Sequence, residues 1–444
     1  MRVRRTLLAC LALLAAAALF LPTAATVRAA SAPTFGTPAL TANFLVGIEI
    51  RQPVTLPAGV TAIEVRIDDP SSPVTEVHPI EVPAAGATSL SFTLDTPSGA
   101  LLPNTLVTAS FRVRLADGTV VDGPRGSVRY LDTRLTWRTL TGSLVRVHWT
   151  QGDAAFARRA LDIGERAVRD ISALLGVTET DPIDFYIYAD RTQFYDVLGP
   201  STRESVGGVA LPSIRTLFAN ITPSGLDDPW VAIVVPHELA HVVFQTATDN
   251  PYHRPPRWLN EGLAVYLAQG YDEGDRATVA SAASDGSLIP LTGLVGLFPT
   301  TPERFSLAYA ESVAAVDHLV ATYGKDALVA LVRSYAGGVT DDEAFQRALG
   351  VDVAGFQVGW YDALGVSAPV PRGPQAAPAG PVPPGWDVAP ATPAPTATVG
   401  PRGGSTDGGT PVSELVAGLL LGVGIGAVML VVRTRRRPPP GAWS

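Results

Sequence analysis

Cysteine and lysine are almost missing from this 444-residue sequence. The single cysteine, Cys10, lies in an apolar N-terminal segment, so the rest of the chain has no thiol for a disulfide or a thiolate metal site. Lys325 is the single lysine, and eight of the 33 basic residues are arginines at the two ends. The other 25 basic residues accompany 41 acidic ones, and this negative balance predicts a protein that binds no nucleic acid.

Two apolar runs lie near the ends of the chain. Residues 1–5 are basic, residues 7–21 are apolar, and the small residues around Ala29 suit cleavage, which predicts a signal peptide over residues 1–29. Cys10 precedes most of this apolar run, so we expect no lipid on its thiol. The second run, residues 415–432, holds 18 uncharged residues, about 27 Å as a helix and enough to span a membrane.

The flanks of the second run predict its orientation. It is followed at once by Arg433, Arg435, Arg436 and Arg437. By the positive-inside rule that end is cytoplasmic. We therefore expect a transmembrane helix over residues 413–433, a cytoplasmic tail over 434–444, and a single-pass protein of the cell membrane whose body faces outward. A four-residue repeat of small residues could pair two such helices weakly, through Gly418, Gly422 and Gly426.

Composition separates a linker and an N-terminal region from the rest. Residues 367–412 are rich in Pro, Ala, Gly and Thr and cannot build a core, which predicts an extended stalk. In residues 30–136, apolar side chains alternate with polar ones, as from Ile63 to Ile67, and Asp117 with Gly118 marks a hairpin turn. This pattern predicts an all-β sandwich of immunoglobulin or fibronectin type. We leave open whether it presents substrate, docks a partner, acts as a spacer or is simple scaffolding.

Residues 137–366 combine both periodicities. Residues 144–149 and 183–188 read as strands, and apolar residues recur at helical spacing between Phe156 and Leu174. Further helical patterns cover residues 326–335, 341–349 and 353–364. The region is therefore predicted to be an α+β domain.

One motif in this region carries chemistry. His237 and His241 are four residues apart, so on a helix both rings can reach one ion, while Glu238 projects beside its open side. A catalytic zinc ion takes three protein ligands and a water. Glu261 is the natural third ligand, because the proline-rich residues 250–256 allow the chain to turn back into a second helix.

The sequence His-Glu-x-x-His followed by Asn-Glu-Gly-Leu resembles the gluzincin metallopeptidases, the class of thermolysin and the zinc aminopeptidases. It is most similar to the peptidase MA-like domains of bacterial surface proteins. The resemblance implies a thermolysin-like fold in which His237, His241 and Glu261 bind zinc and Glu238 is the general base. Tyr309 matches an oxyanion-stabilising tyrosine of the aminopeptidase branch, although packing is the alternative role for this side chain.

The surroundings of the motif leave structural alternatives. Asp228 and Pro229 suit the start of the first helix, but Pro236 either kinks that helix or marks a later start near Val235. Residues 214–221 form either a substrate-pairing edge strand, as in gluzincins, or an ordinary covered strand.

Two positions near the third ligand also prompt expectations. Gly262 would permit close approach of the two motif helices. Val265 stands where thermolysin-like enzymes place a carboxylate that holds the zinc ligands, so Asp272 or a backbone carbonyl would have to hold the histidine rings instead.

We therefore expect a membrane-anchored extracellular zinc metallopeptidase that hydrolyses peptide bonds of a peptide or protein substrate. Endopeptidase action is favoured over aminopeptidase action, since no G-x-M-E-N motif precedes the first motif helix. The alternative is a catalytically silent surface module that binds a partner through the same fold, which the retention of Glu238 disfavours.

Overall fold

The computed structural model describes residues 32–200 and 206–367. The predicted signal peptide, stalk, transmembrane helix with its three glycines, and cytoplasmic tail lie outside these residues. Within the described part of the chain, no helix is both long and apolar enough to cross a membrane.

Two antiparallel sheets form the N-terminal region. The first contains β1 (Thr34–Phe35), β2 (Ala39–Asn43), β3 (Gly47–Leu56) and β6 (Gly86–Asp95). The second contains β4 (Val60–Asp68), β5 (Glu76–Ile80), β7 (Leu106–Leu115), β8 (Val120–Asp122) and β9 (Gly126–Arg129). Ile63, Val65 and Ile67 are buried while Glu64 and Arg66 are half-exposed, so each strand has one buried face. The sheet-rich region is confirmed, and its immunoglobulin or fibronectin type stays a prediction.

A mixed sheet follows. Its strands are β10 (Arg138–Thr141), β11 (Val145–Trp149), β12 (Ile183–Tyr188), β13 (Gly208–Leu211) and β14 (Thr216–Asn220), in the order β10-β11-β12-β14-β13. β11, β12 and β14 are parallel, and β10 and β13 add antiparallel edges. The helix α1 (Ala154–Leu175) connects β11 to β12, as parallel pairing requires a crossover.

The sequence left open whether residues 214–221 form an edge strand or a covered strand. β14 pairs with a neighbour on each side, so it is an interior strand and the covered alternative was the correct one. β13 is the edge, but Gly208 and Ala210 are buried against the first motif helix, and a Cβ at Gly208 would lie 2.8 Å from Val234 Cγ1. The edge is therefore covered over most of its length.

Helices complete the fold. They are α2 (Arg191–Leu198), α3 (Val231–Thr248), α4 (Arg257–Ala268), α5 (Glu273–Asp285), α6 (Pro302–Tyr323), α7 (Lys325–Ser334), α8 (Asp341–Leu349) and α9 (Val353–Ala363). The motif histidines are on α3 and the third ligand is on α4. From the sequence we expected Gly262 to face α3, but it does not. A Cβ at that position would lie 2.2 Å from the Ser312 carbonyl oxygen, so the glycine instead permits contact between α4 and α6.

Pro236 lies inside α3. The helix begins at Val231, two residues after the predicted Pro229 and well before Val235, so the later start was wrong. Proline has no N–H to donate to the Ala232 carbonyl one turn earlier. Ala232 is exposed, so water can satisfy that carbonyl and the helix continues to its histidines.

Asn104 joins the N-terminal region to the mixed sheet. Its side-chain amide donates to Asp184 Oδ2 and to Thr216 Oγ1, each at 2.8 Å. Asp184 also binds Arg146 and His148, and all these contacts lie at the junction. Burial tends to raise the pKa of Asp184, but hydrogen bonds from His148, Arg146 and Asn104 outweigh it and lower the pKa to about 2. The predicted border at residues 136 and 137 lies between β9 and β10, and that division stays a prediction.

Candidate metal centre

Three side chains converge between α3 and α4. His237 and His241 lie one turn apart on α3, and Glu261 reaches them from α4. The two Nε2 atoms are 3.2 Å apart, and Glu261 Oε2 lies 3.7 Å from His237 Nε2 and 3.5 Å from His241 Nε2. All three side chains are buried. The structure thus brings together the three ligands predicted from the sequence.

These atoms fit a tetrahedral zinc ion. Ligand atoms about 2.0 to 2.1 Å from such an ion lie about 3.3 Å from one another, close to the separations described above. Glu261 Oε2 is buried and has no hydrogen bond of standard geometry, which is costly unless a cation is present. The imidazole and carboxylate donors are those that zinc prefers, so the cluster is a zinc site.

Electrostatics in the cluster reflect burial and mutual contact. Burial lowers the pKa of His237 to about 4, so its ring is neutral and can offer a lone pair. For His241 burial acts in the same direction, but the charge of Glu261 outweighs it and raises the pKa to about 9. Burial opposes ionisation of Glu261, yet His241 holds its pKa well below the usual range.

Asn260 holds one histidine ring. Its side-chain oxygen lies 2.9 Å from His241 Nδ1 and accepts the proton of that nitrogen. Nε2 is therefore the nitrogen that faces the cluster and can bind a metal ion once the ion displaces its proton. Asp272 does not do this, because its carboxylate caps the start of α5 by accepting from Asp275 N–H. Asn260 was not predicted from the sequence, although it directly precedes Glu261.

Arg257 holds the third ligand. Its Nε and Nη2 each lie 3.1 Å from Glu261 Oε1, which leaves Oε2 directed at the histidines. Its guanidinium also lies 4.9 Å from the Phe298 ring centre. Arg257 precedes Glu261 by four residues, a spacing that places the two side chains on one helical face and could have indicated the pair.

Glu238 is placed beside the cluster by the edge strand. Its Oε2 accepts a 2.8 Å hydrogen bond from Ala210 N–H, and Oε1 is buried without a hydrogen-bond partner among the described residues. Burial raises the pKa of this carboxyl to about 8. Because Ala210 N–H fixes Oε2, Oε1 is the oxygen that is available to a molecule in the site.

Tyr309 reaches the same region from α6. Its ring packs at 5.3 Å from Phe298 and 5.0 Å from Phe305, centre to centre. Its buried hydroxyl makes no hydrogen bond of standard geometry, although Arg257 is close enough to act on its pKa. Burial and the charge of Glu261 hold that pKa well above its usual range, so the hydroxyl stays a neutral donor.

Comparison with known proteins identifies the domain that holds this centre. The family model of the Peptidase MA superfamily matches residues 164–365, from within α1 to just after α9. These residues form a gluzincin peptidase-like domain. No curated protein sequence matches the chain.

Solved structures also resemble the chain. An M1 zinc metallopeptidase from Deinococcus radiodurans is 14% identical, over 75% of this chain and 93% of that one, with a TM-score of 0.34. An aminopeptidase N family protein from Idiomarina loihiensis is 10% identical, over 77% of each chain, with a TM-score of 0.40.

The first prediction concerns the zinc ligands of the gluzincin peptidase-like domain. His237→Ala, His241→Ala and Glu261→Ala should each lose bound zinc, because two protein ligands cannot retain the ion as three do. Elemental analysis after dialysis measures the zinc content, and circular dichroism checks the fold. His253→Ala is the matched control, since His253 pairs with Asp341 outside the cluster and should leave zinc content unchanged. Full zinc content in any ligand variant would refute that assignment.

The second prediction concerns Arg257. Arg257→Met should weaken zinc affinity by about 10- to 100-fold, because Glu261 loses the partner that fixes Oε1. Arg257→Lys keeps the charge but not the forked geometry, so its zinc affinity should lie between those of the wild type and Arg257→Met. Competition with a chromogenic chelator measures the affinities. Arg276→Met, which removes a cation lying over Tyr271, is the control, and an Arg257→Met variant with wild-type affinity would contradict the positioning role.

Proposed function

We propose that the gluzincin peptidase-like domain is an active zinc endopeptidase that cleaves peptide bonds within extended substrates. The observation that carries this proposal is the state of Glu238. A buried carboxylate oxygen without a donor costs stability, and a module that only binds a partner has no need for it beside a metal site. A water molecule poised to lose a proton is the partner that such an oxygen suits.

The residues divide the reaction between them. Zinc, held by His237, His241 and Glu261, would polarise the substrate carbonyl and lower the pKa of the attacking water. The charge of a zinc ion in the site would favour the ionised form of Glu238. In that form Glu238 Oε1 accepts the proton of the water and returns it to the leaving amine, while Ala210 N–H holds the other carboxylate oxygen in place. The neutral hydroxyl of Tyr309 donates to the oxyanion as it forms.

The surroundings favour an endopeptidase. An aminopeptidase needs an anionic group that binds the free amino terminus of its substrate near the metal. The cavity beside the metal ligands has a volume of about 450 Å³. Among the residues that the structure describes, the carboxylates on its wall are those of Glu261 and of Asp249, which lies two helical turns beyond His241 and accepts from Gln245. A cavity of this kind suits a chain that continues past the scissile bond.

We also propose that the enzyme is anchored in the cell membrane with its body outside. The support is the sequence alone: a basic and apolar leader, an uncharged run over residues 415–432, and the arginines that follow it. The substrate would then be an extracellular peptide or protein.

The third prediction tests the role of Glu238. Glu238→Gln should keep zinc and fold but lose about 10²- to 10⁴-fold in hydrolysis, because an amide cannot accept and return the proton. Turnover of a library of quenched fluorescent peptides gives the rate. If the zinc-loaded wild type cleaves no member of the library, the silent binding module becomes the better account. If the Gln variant cleaves at the wild-type rate, another group activates the water.

Tyr309→Phe in the same assay separates its two roles. A fall in turnover at unchanged thermal stability indicates oxyanion stabilisation, because only the hydroxyl is removed. Unchanged turnover would return Tyr309 to a packing role against Phe298 and Phe305. Tyr271→Phe, on a hydroxyl-bearing ring that stacks on Arg276, is the matched control.

The fourth prediction tests the topology. Protease treatment of intact cells should release the body of the protein, because residues 30 to about 412 lie outside. An epitope tag placed after residue 437 should stay protected until the cells are opened. Accessibility of the tag on intact cells, with protection of the body, would invert the orientation and exclude an extracellular substrate.

A further inference from the structure

Strand β6 forms a long edge of the first N-terminal sheet. Its 10 residues pair with β3 from one end to the other, and β3 is its single partner strand among the described residues. The other terminal strands of the described sheets have two to five residues. The backbone N–H and C=O groups on the far side of β6 therefore face no neighbouring strand of the described chain.

This edge lacks the usual protection. Folded proteins commonly block pairing of an edge with another chain by a proline, a lysine, a bulge or a covering element. Two other edges follow this rule, since β5 contains Pro79 and β13 is largely covered by α3. β6 contains neither proline nor lysine, its pairing with β3 has no bulge, and Asp95 at its end is its one charged residue. An open edge of this length indicates a site where a further strand can be added.

The side chains of β6 fall on two faces. The exposed face carries small side chains over most of its length, those of Ala87, Ser89, Ser91 and Thr93. On the other face Phe92 and Leu94 pack on the core but stay half-buried, because no further strand lies beside them. A strand paired at this edge would cover both apolar side chains and would meet no bulky group on the exposed face.

We propose that β6 pairs with β6 of a second copy of this chain, antiparallel about a two-fold axis at Ser91. In this register Ser91 faces Ser91 of the second copy, and Ser89 faces Thr93 of the second copy. Cross-strand pairs of hydroxyl side chains stabilise antiparallel sheets. Asp95 faces Ala87 of the second copy, so no two charges of the same sign lie opposite each other on the paired strands.

The identity of the partner follows from this self-complementarity. A two-fold contact uses the same surface of both copies, so each favourable pair away from the axis occurs twice. On the inner face the same register sets Leu90 opposite Phe92 of the second copy, and the two apolar rows meet. The membrane anchor proposed above would also hold copies of the chain at one surface, which favours this partner over a soluble one.

Disulfide cross-linking tests the register, because Cys10 of the predicted signal peptide is the single cysteine. In the full-length chain with Cys10→Ser, Ser91→Cys should form a linked dimer when isolated membranes are treated with a mild oxidant. Residues directly opposite on antiparallel strands have Cα atoms about 4.5 to 5.5 Å apart, which a disulfide can span. Non-reducing electrophoresis measures the linked fraction, and mass spectrometry identifies the linked chains.

Ala87→Cys is the matched control, since it places the thiol on the same exposed face of the same strand. In the proposed register this thiol lies eight residues from its counterpart, or about 26 Å, so it should stay unlinked. The linked fraction should be about tenfold or more higher for Ser91→Cys. No Ser91→Cys dimer, equal linking of the two variants, or a disulfide from Ser91→Cys to a different protein would each overturn the proposal. β6 lies outside the metal centre, so the result does not depend on whether the chain cleaves peptides.

A charge-matched pair of variants tests the same contact. Added to Ser91→Cys, Ala87→Lys places a cation opposite Asp95 of the second copy, whereas Ala87→Glu places an anion there. Linking should be about threefold or more faster with Lys than with Glu, and the difference should shrink in about 1 M salt. Val120→Lys and Val120→Glu, at an exposed site on β8, change the net charge equally and should link at equal rates. Equal rates for the two Ala87 variants would contradict the register.

Discussion

Two imidazole nitrogens and one carboxylate oxygen face one another in a buried space, and this convergence governs the rest of the domain. Hydrogen bonds among these three atoms cannot pair all of them, so a bound cation would stabilise the arrangement. Their positions depend on the contact of α3 with α4, since the histidines come from one helix and Glu261 from the other. The absence of a Cβ at Gly262 allows α6 to pack closely against α4, and this contact helps to fix the position of α4. Asn260 and Arg257 then orient the side chains within this frame.

The sequence was most informative where chemistry requires a fixed spacing. The pair His237 and His241, with Glu261 after a turn, predicted a cluster that the structure assembles. The strand and helix periods predicted the sheet-rich region and the α+β arrangement after it. Such signals are local, because side chains four residues apart on one helix share a face in any fold.

Contacts between elements could not be predicted in the same way. The sequence could not decide whether residues 214–221 form the edge of the mixed sheet, because the neighbours of a strand depend on chain segments far away in sequence. Asp272 was considered as the partner of the histidine rings, whereas it caps a helix and Asn260 takes the role. Gly262 was paired with the wrong helix, since periodicity indicates that a face is close-packed but not which element packs on it.

Asn104 has a backbone φ of 71°, a left-handed conformation that asparagine tolerates better than most residues, and its side chain enters the mixed sheet. If the N-terminal sheets were removed, Asp184 and Thr216 would lose a buried hydrogen-bond donor. This loss would destabilise β12 and β14, the interior strands of the sheet that packs against α3. We therefore expect the two regions to melt in a single cooperative transition. The change of sequence periodicity near residue 136 would then mark a boundary between two architectures, but not between two regions that unfold independently.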